Sequence, residues 1–176
     1  MSENQLRQMN ASYVPEQDRL LLKINTTGQT EFRFWITRRY LALLWQVLSQ
    51  IAGGFGKAGF ALDSATRAEV ANLAHEELKK GMDIRTQYQN GGHFPLGEDP
   101  VLLVKITTHK PDASGNRKLS LLPDQGRGID LNLDENLTHS LMRVLQEPAA
   151  VADWSIDLGL LPEVVLQSVV PPATLH

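Results

Sequence analysis

Residues 19–48 read RLLLKINTTGQTEFRFWITRRYLALLWQVL, and the rest of the chain is organised around this stretch. Apolar side chains at alternating positions predict two strands, residues 19–26 and 31–36, joined by a short turn. The apolar period then becomes that of a helix over residues 38–52, which Thr37 is placed to cap. This stretch therefore predicts an antiparallel strand pair that leads directly into a helix.

A second stretch of the chain resembles the first. Residues 102–108 match residues 20–26 at an offset of 82, counted from position 20 to position 102. Residues 129–145 match residues 32–48 at an offset of 97, counted from position 32 to position 129, without a gap where the strand period becomes a helix period. We therefore predict an α+β fold in which two pseudo-repeated antiparallel β-sheet-plus-helix halves share one core.

The other segments divide the chain into an arm, a body and a tail. Residues 1–17 are predicted to be a flexible N-terminal arm, and residues 151–176 a tail that packs on the body or on a partner. Between them, residues 18–150 form a single α+β domain. It contains the two copies at about 19–52 and 101–147, linked by a helix at residues 64–82. Residues 85–99 are predicted to be a polar loop and residues 101–108 a strand, and Asp134 is placed to cap a second helix over residues 135–146.

Composition restricts the classes of function. Hydrophobic residues make up 42% of the 176 positions and charged residues 21%, which is typical of a globular protein. There is no cysteine, which excludes disulfides, thiolate catalysis and cysteine metal sites. The sequence has no recognisable signal peptide or membrane span, so we expect a cytoplasmic protein. A net charge of −3 argues against nucleic-acid binding over the whole surface, but it allows a local basic patch.

Motifs for enzymatic chemistry are weak. Residues 53–59 contain Gly56-Lys57 but follow a helix, and Ala58 stands where a phosphate loop has Ser or Thr. The five histidines lack the spacing of a helical zinc site. We therefore predict a non-enzymatic protein with no catalytic residue, no metal and no cofactor. An enzymatic alternative would require His93 and carboxylates to converge in a pocket.

Cations and an aromatic ring are concentrated on one side of the strand pair and at the helix start. The predicted ligand-binding residues are Lys23, Arg33, Trp35, Arg38 and Arg39. Proteins that bind single-stranded nucleic acids stack bases on aromatic rings and place cations beside the phosphates. We therefore predict single-stranded DNA or RNA as the ligand, with the ring of Tyr40 as a second stacking surface.

Two observations oppose this interpretation. The rest of the chain could cover Trp35, and Arg38 and Arg39 could be ordinary solvated charges, although cations are unfavourable at a helix N-terminus. The second copy carries acidic or neutral side chains at matching positions, which do not attract phosphate: Asp130, Asn132, Asp134 and Glu135. The nucleic-acid prediction therefore concerns the first copy only.

The alternative prediction is a protein-interaction or assembly factor. An open sheet edge, or the apolar residues 160–175, could bind a protein partner or a second copy of the chain. This alternative predicts a stable homo-oligomer or complex, and it predicts that truncation near Pro162 abolishes that assembly.

The strand–strand–helix layout over residues 20–48 and 102–145 resembles the single-stranded nucleic-acid-binding group that includes whirly proteins, kinetoplastid guide-RNA-binding proteins and the transcriptional-coactivator β-sheet/helix domain. In that group a curved antiparallel sheet precedes a helix, sometimes twice in one chain. The resemblance implies a nucleic-acid ligand but transfers no functional residue, because no diagnostic motif of the group is present. This chain departs from the group in showing two clear strands in its first copy and an intervening helix. The line EFRFWITRRY, residues 31–40, also resembles bacterial proteins, which implies a bacterial source and no particular activity.

Overall fold

The computed structural model describes residues 5–55 and 87–156, and this part of the chain is an α+β structure with two sheets and two helices. The elements, in chain order, are β1 (Leu6–Val14), β2 (Arg19–Thr26), β3 (Glu31–Ile36), α1 (Arg38–Phe55), β4 (Val101–Leu102), β5 (Lys105–Thr108), β6 (Arg117–Leu122), β7 (Ile129–Leu133) and α2 (Glu135–Ala152). The predicted helix at residues 64–82 and most of the predicted tail lie outside the described residues.

The first sheet has the strand order β1-β2-β3-β4. The first three strands are antiparallel neighbours, and β4 pairs in parallel with β3. Leu22 lies opposite Phe34 on the inner face, and both side chains are fully buried. The alternation in residues 19–36 therefore predicted the inner face correctly, since successive side chains of a strand point to opposite sides.

The second sheet, of order β5-β6-β7, is antiparallel and continues from the edge of the first. The Leu103 amide donates to the Trp35 carbonyl at 3.1 Å, and the next amide, that of Val104, donates to the Leu122 carbonyl at 3.0 Å. The stretch at residues 101–108, expected as one strand, thus passes from one sheet to the other.

The expectation of a flexible arm over residues 1–17 is wrong for β1. This strand pairs along its length with β2, and its Met9 side chain is 4% exposed. The end of the strand is held by Asp18, whose carboxylate accepts hydrogen bonds from the Tyr13 hydroxyl at 2.9 Å and the Trp154 indole N–H at 3.0 Å. The packing of β1 depends on contacts distant in sequence, which its polar composition does not reveal.

Both predicted helix caps are confirmed. The Tyr40 amide donates to the Thr37 hydroxyl at 3.2 Å, and the Leu137 amide donates to the Asp134 carboxylate at 2.7 Å. The helices run further than predicted: α1 includes Gly53 and Gly54, and α2 continues beyond Pro148. Proline usually ends a helix, but α2 continues through Pro148, which is buried together with Ala149.

The buried apolar residues form one cluster drawn from both sheets and both helices, and α2 packs against β1 and α1. The pairings within the sheets do not support the expected match at an offset of 82, because it equates the central strand β2 with the edge strand β5. An offset of 97 matches the pairing Leu22–Phe34 in the first sheet to Leu119–Leu131 in the second.

Candidate functional site

The outer face of the first sheet, opposite the core, consists of side chains in rows that run across the strands. From the β2–β3 turn towards the start of α1 we name them the polar row (Gln8, Asn25, Glu31), the cation row (Asn10, Lys23, Arg33) and the aromatic row (Ser12, Leu21, Trp35, Leu102). The sheet therefore places three of the five predicted ligand-binding residues in two neighbouring rows.

Residues 87–100, which we call the covering segment, lie against the outer face at the polar-row end. The Glu31 amide donates to the His93 carbonyl at 2.8 Å, and the Gly92 amide donates to the Gln29 carbonyl at 2.8 Å. Thr30 and His93 form a parallel bridge. The segment is therefore joined to the first sheet by main-chain hydrogen bonds before β4 begins.

The polar row binds the main chain of the covering segment with its side chains. The Gln89 amide donates to the Gln8 side-chain oxygen at 3.2 Å, and the Asn25 side-chain amide donates to the Gln89 carbonyl at 2.7 Å. The Gly91 amide donates to the Glu31 carboxylate at 2.6 Å. All three side chains of the row are buried. A buried polar group is costly unless it is hydrogen-bonded, so this row and the segment stabilise each other.

Glu31 lies on the outer face of the first sheet, yet it is fully buried. Its carboxylate accepts a hydrogen bond from Arg33 Nε at 2.6 Å, and the Arg33 side chain is 23% exposed. Gly91 allows this arrangement, since a Cβ at that position would lie 2.7 Å from both the Gln29 carbonyl oxygen and the Glu31 Cβ. The buried charge is thus compensated by a cation and by an amide.

Lys23 lies beneath the covering segment. Its Nζ is 3.5 Å from the Asn90 side-chain oxygen and 5.7 Å from the centre of the Tyr88 ring. Burial, followed by the negative charge of Glu31, raises the pKa of Tyr88 well above its usual value. Tyr88 therefore stays neutral at physiological pH and presents an aromatic ring to the Lys23 ammonium group.

Arg33 contacts the far part of the same segment. Its Nη1 donates to the Glu98 carbonyl at 3.1 Å, and its guanidinium carbon lies 4.6 Å from the centre of the Phe94 ring. Of the predicted ligand-binding residues, Lys23 and Arg33 are thus already engaged by the protein itself.

Trp35 is half-buried in the aromatic row, where it lies opposite Leu21 and beside Leu102. Arg38 and Arg39, at the start of α1, are exposed. Trp35 is thus partly accessible, and two exposed cations follow it closely in the chain.

Tyr40 is not the second stacking surface that the sequence suggested. Its side chain is 3% exposed, and its hydroxyl donates to the Lys105 carbonyl at 3.2 Å. Burial raises its pKa well above the usual value. The ring belongs to the core, because the helix turns this position inward.

The outer face of the second sheet has different chemistry. At positions 97 later than Lys23, Arg33 and Trp35 stand Ser120, Asp130 and Asn132. Asp130 accepts a hydrogen bond from the Ser120 hydroxyl at 2.6 Å and lies 2.8 Å from Lys118 Nζ. The hydrogen bonds from Lys118 and Ser120 hold the pKa of Asp130 below its usual value. On this face the Lys118 ammonium group is paired with the Asp130 carboxylate, and both side chains are about half exposed.

The sequence interpretation missed the polar row and the covering segment. The row consists of residues from three strands that meet only after the sheet forms, so no local pattern marks it. The signal that did exist was the pair Gly91-Gly92 in a polar stretch, which indicates a close main-chain approach.

His93, the residue considered for catalysis, is exposed, and its main chain forms the bridge to Thr30. Within residues 5–55 and 87–156, no group of three histidine or acidic side chains is arranged to hold a metal ion. Neither helix in these ranges has the length and apolarity needed to cross a membrane.

The described fold and site define an α+β protein whose first sheet presents a polar, basic and aromatic outer face. Comparison with protein-family models, curated proteins and solved structures gave no match.

Proposed function

We propose that the protein is a non-enzymatic binding protein for single-stranded DNA or RNA and that the ligand lies on the outer face of the first sheet. The observation that carries this proposal is the partly exposed Trp35 side chain, which lies directly beside the cation row. The proposed contacts are a base on Trp35 and phosphates on Arg33, Arg38 and Arg39. Lys23, held against Asn90 and Tyr88, adds positive charge next to them.

The spacing of the rows supports this arrangement. Residues two apart on a strand lie roughly 6.8 Å apart on the same face, so Arg33 and Trp35 are close enough to contact the phosphate and the base of one nucleotide. Stacking of a base on an aromatic side chain contributes about 1–3 kcal/mol and tolerates any base. The proposed binding is therefore weakly dependent on nucleotide sequence and strongly dependent on salt.

We also propose that the two sheet-plus-helix units are a pseudo-repeat that shares one core. One offset, 97, relates the start of α1 to the start of α2 and the pairing Met9–Ile24 to Ile106–Leu121. On this proposal only the first unit has the ligand-binding side chains. The resemblance to the whirly-like group and a cytoplasmic location are part of the same proposal.

The test is a fluorescence-anisotropy titration with labelled single-stranded DNA and RNA oligonucleotides at two salt concentrations. Trp35→Ala is expected to weaken binding roughly 5- to 150-fold, the equivalent of one lost stacking contact. Replacement of Arg38 and Arg39 by Ala is expected to reduce the salt dependence by about 0.7 per lost phosphate contact. Arg33 is left intact, because its removal would leave the buried Glu31 carboxylate without its cation.

The matched control is Asn132→Ala, which truncates the equivalent position on the second sheet and is expected to bind like the wild type. Circular dichroism confirms that each variant is folded. Absence of binding by the wild-type protein at low salt, or an equal loss in the control, would contradict the proposed function.

A second candidate function is self-association through a sheet edge. Among the described strands, β1 and β7 each have a neighbour on one side only, and unpaired edges can bind further strands. Light scattering coupled to gel filtration should then give a multiple of the 19.6 kDa chain mass. A monomer over the accessible concentration range rules this candidate out.

A further inference from the structure

We propose that residues 94–100, the tip of the covering segment, form an acidic cover over Arg33 that the phosphate of a bound nucleic acid displaces. This inference rests on the proposed function. It assigns a regulatory role to a part of the chain that the sequence interpretation treated as a polar loop.

The first part of the covering segment is firmly held. The main chain at Gln89 and Gly91 is bound by the buried polar row, and the amides of Gly92 and His93 donate to the Gln29 carbonyl at 2.8 and 3.1 Å. Opening this part would remove the Gly91 amide from the buried Glu31 carboxylate and the Gln89 main chain from the buried Gln8 and Asn25 side chains. We therefore expect it to remain in place when a ligand binds.

The tip leaves the line of the sheet. Thr30 is bridged to His93, and Phe34 is paired with Val101. The four positions from Thr30 to Phe34 therefore lie opposite eight positions from His93 to Val101. The additional residues bulge away from the strand. The Gly97 amide donates to the Phe94 carbonyl at 3.1 Å, and the Gly97 φ of +97° suits glycine.

The bulge lies against the cation row. Arg33 donates to the Glu98 carbonyl and lies over the Phe94 ring, while Leu96 packs against the edge of the core. The side chains of Glu98 and Asp99 are both exposed. In this position the tip occupies a donor of Arg33, and the two residues at and after the contact, Glu98 and Asp99, carry exposed carboxylates.

A phosphate is a stronger partner for Arg33 than the tip. The guanidinium is charged in both hydrogen bonds, but the phosphate oxygen carries a negative charge that the Glu98 carbonyl lacks, and a phosphate can accept two parallel N–H bonds from one guanidinium. A guanidinium has five N–H donors, and Glu31 holds Nε from the buried side. A phosphate can therefore replace the Glu98 carbonyl on Arg33 without breaking the buried ion pair.

The test compares two doubly neutralised proteins with the wild type. Glu98→Gln/Asp99→Asn removes the charges of the tip, and Asp124→Asn/Glu147→Gln removes two exposed carboxylates elsewhere, with the same change in net charge. With a single-stranded oligonucleotide as the probe, the tip variant is expected to bind roughly 3- to 10-fold more tightly than the matched control. The control is expected to stay within about 2-fold of the wild type.

A second measurement follows the tip directly. Hydrogen exchange of the wild-type protein, with and without saturating oligonucleotide, should show faster exchange of the Gly97 amide on binding. The Gly92 and His93 amides serve as internal controls and should be unchanged, because their hydrogen bonds lie in the held part of the segment.

The outcomes separate this inference from the proposed function. If wild type binds but the tip variant binds no more tightly than its control, the proposed displacement of the tip is wrong and the binding function stands. The same conclusion follows if exchange of the Gly97 amide is unchanged or slower on binding. If none of the three proteins binds, the proposed function fails and the cover fails with it.

Discussion

The outer faces of the two sheets differ, although each sheet contains a three-strand antiparallel arrangement followed by an 18-residue helix. The first face has a fully buried carboxylate, Glu31, paired with Arg33 beneath the covering segment. The second face has Lys118 paired with Asp130, about half exposed to solvent. The same order of elements thus supports a buried carboxylate on one outer face and a half-exposed ion pair on the other.

The difference comes from a segment between the elements rather than from the strands alone. Residues 87–100 lie between α1 and β4. Their main chain is hydrogen-bonded to the polar row, to the Arg33 side chain and to the main chain of Gln29 and Glu31. In the second sheet Gly128 stands where the offset of 97 places Glu31, and its main chain packs against Leu121. The buried carboxylate is therefore a feature of the first sheet and its cover.

The largest expected effect on stability comes from a substitution on the outer face of the first sheet. Glu31→Gln removes the negative charge that compensates Arg33 in a water-excluded setting, and we expect it to lower the free energy of unfolding by about 2–4 kcal/mol. Asp130→Asn breaks a half-exposed ion pair on the second face and should cost less than about 1 kcal/mol. Urea denaturation at neutral pH measures both.

Glu147→Gln, an exposed position on α2, controls for the change in net charge and should leave stability nearly unchanged. Equal losses for Glu31→Gln and Asp130→Asn would show that burial beneath the covering segment adds nothing, and the contrast between the two faces would then have no energetic basis.

A smaller effect on stability is expected at Asp18, between β1 and β2, which Trp154 contacts just after the end of α2. Hydrogen bonds from the Trp154 indole and then the Tyr13 hydroxyl hold the pKa of Asp18 below its usual value of 3.8. A depressed carboxyl pKa contributes stability above pH 3.8, and this contribution is lost as the pH falls through the lower pKa of the folded state. Wild type should therefore exceed Asp18→Asn in stability at pH 7, and the difference should shrink in acid.

Urea midpoints of the two proteins at pH 7 and at several values below 3.8 measure this difference. The half-exposed pair of Lys118 and Asp130 provides the comparison. The stability difference between wild type and Asp130→Asn should also shrink in acid, because the pKa of Asp130 is lowered as well. A difference between wild type and Asp18→Asn that stays constant across this range would show that the two hydrogen bonds do not favour the charged carboxylate.

Much of the fold could be predicted from local patterns. Alternation identified β2 and β3, the change of period identified the start of α1, and Thr37 and Asp134 were recognised as caps. β1 was missed because its sequence, LRQMNASYV, has little apolar alternation and depends on pairing with β2. The predicted end of α2 was wrong because the helix continues through Pro148, which is buried together with Ala149.

The candidate site could be predicted only in part. Lys23, Arg33 and Trp35 were assigned to one face because side chains two apart on a strand point the same way, and the structure places them there. Their environment could not be predicted. The contacts of Lys23 with Asn90 and of Arg33 with Glu98 join residues 67 and 65 positions apart.

The amino-acid sequence by itself determined which side chains point inward and outward on β2 and β3 and where the two helices begin, because periodicity and capping act over a few residues. Only the tertiary structure decided which outward side chains meet solvent. That outcome depends on the main chain of residues 88–93 reaching Gln8, Asn25 and Glu31 on three different strands. Hydrogen bonds across the sheet, rather than local preference, make Glu31 a buried ion-pair partner and leave Asp130 in water.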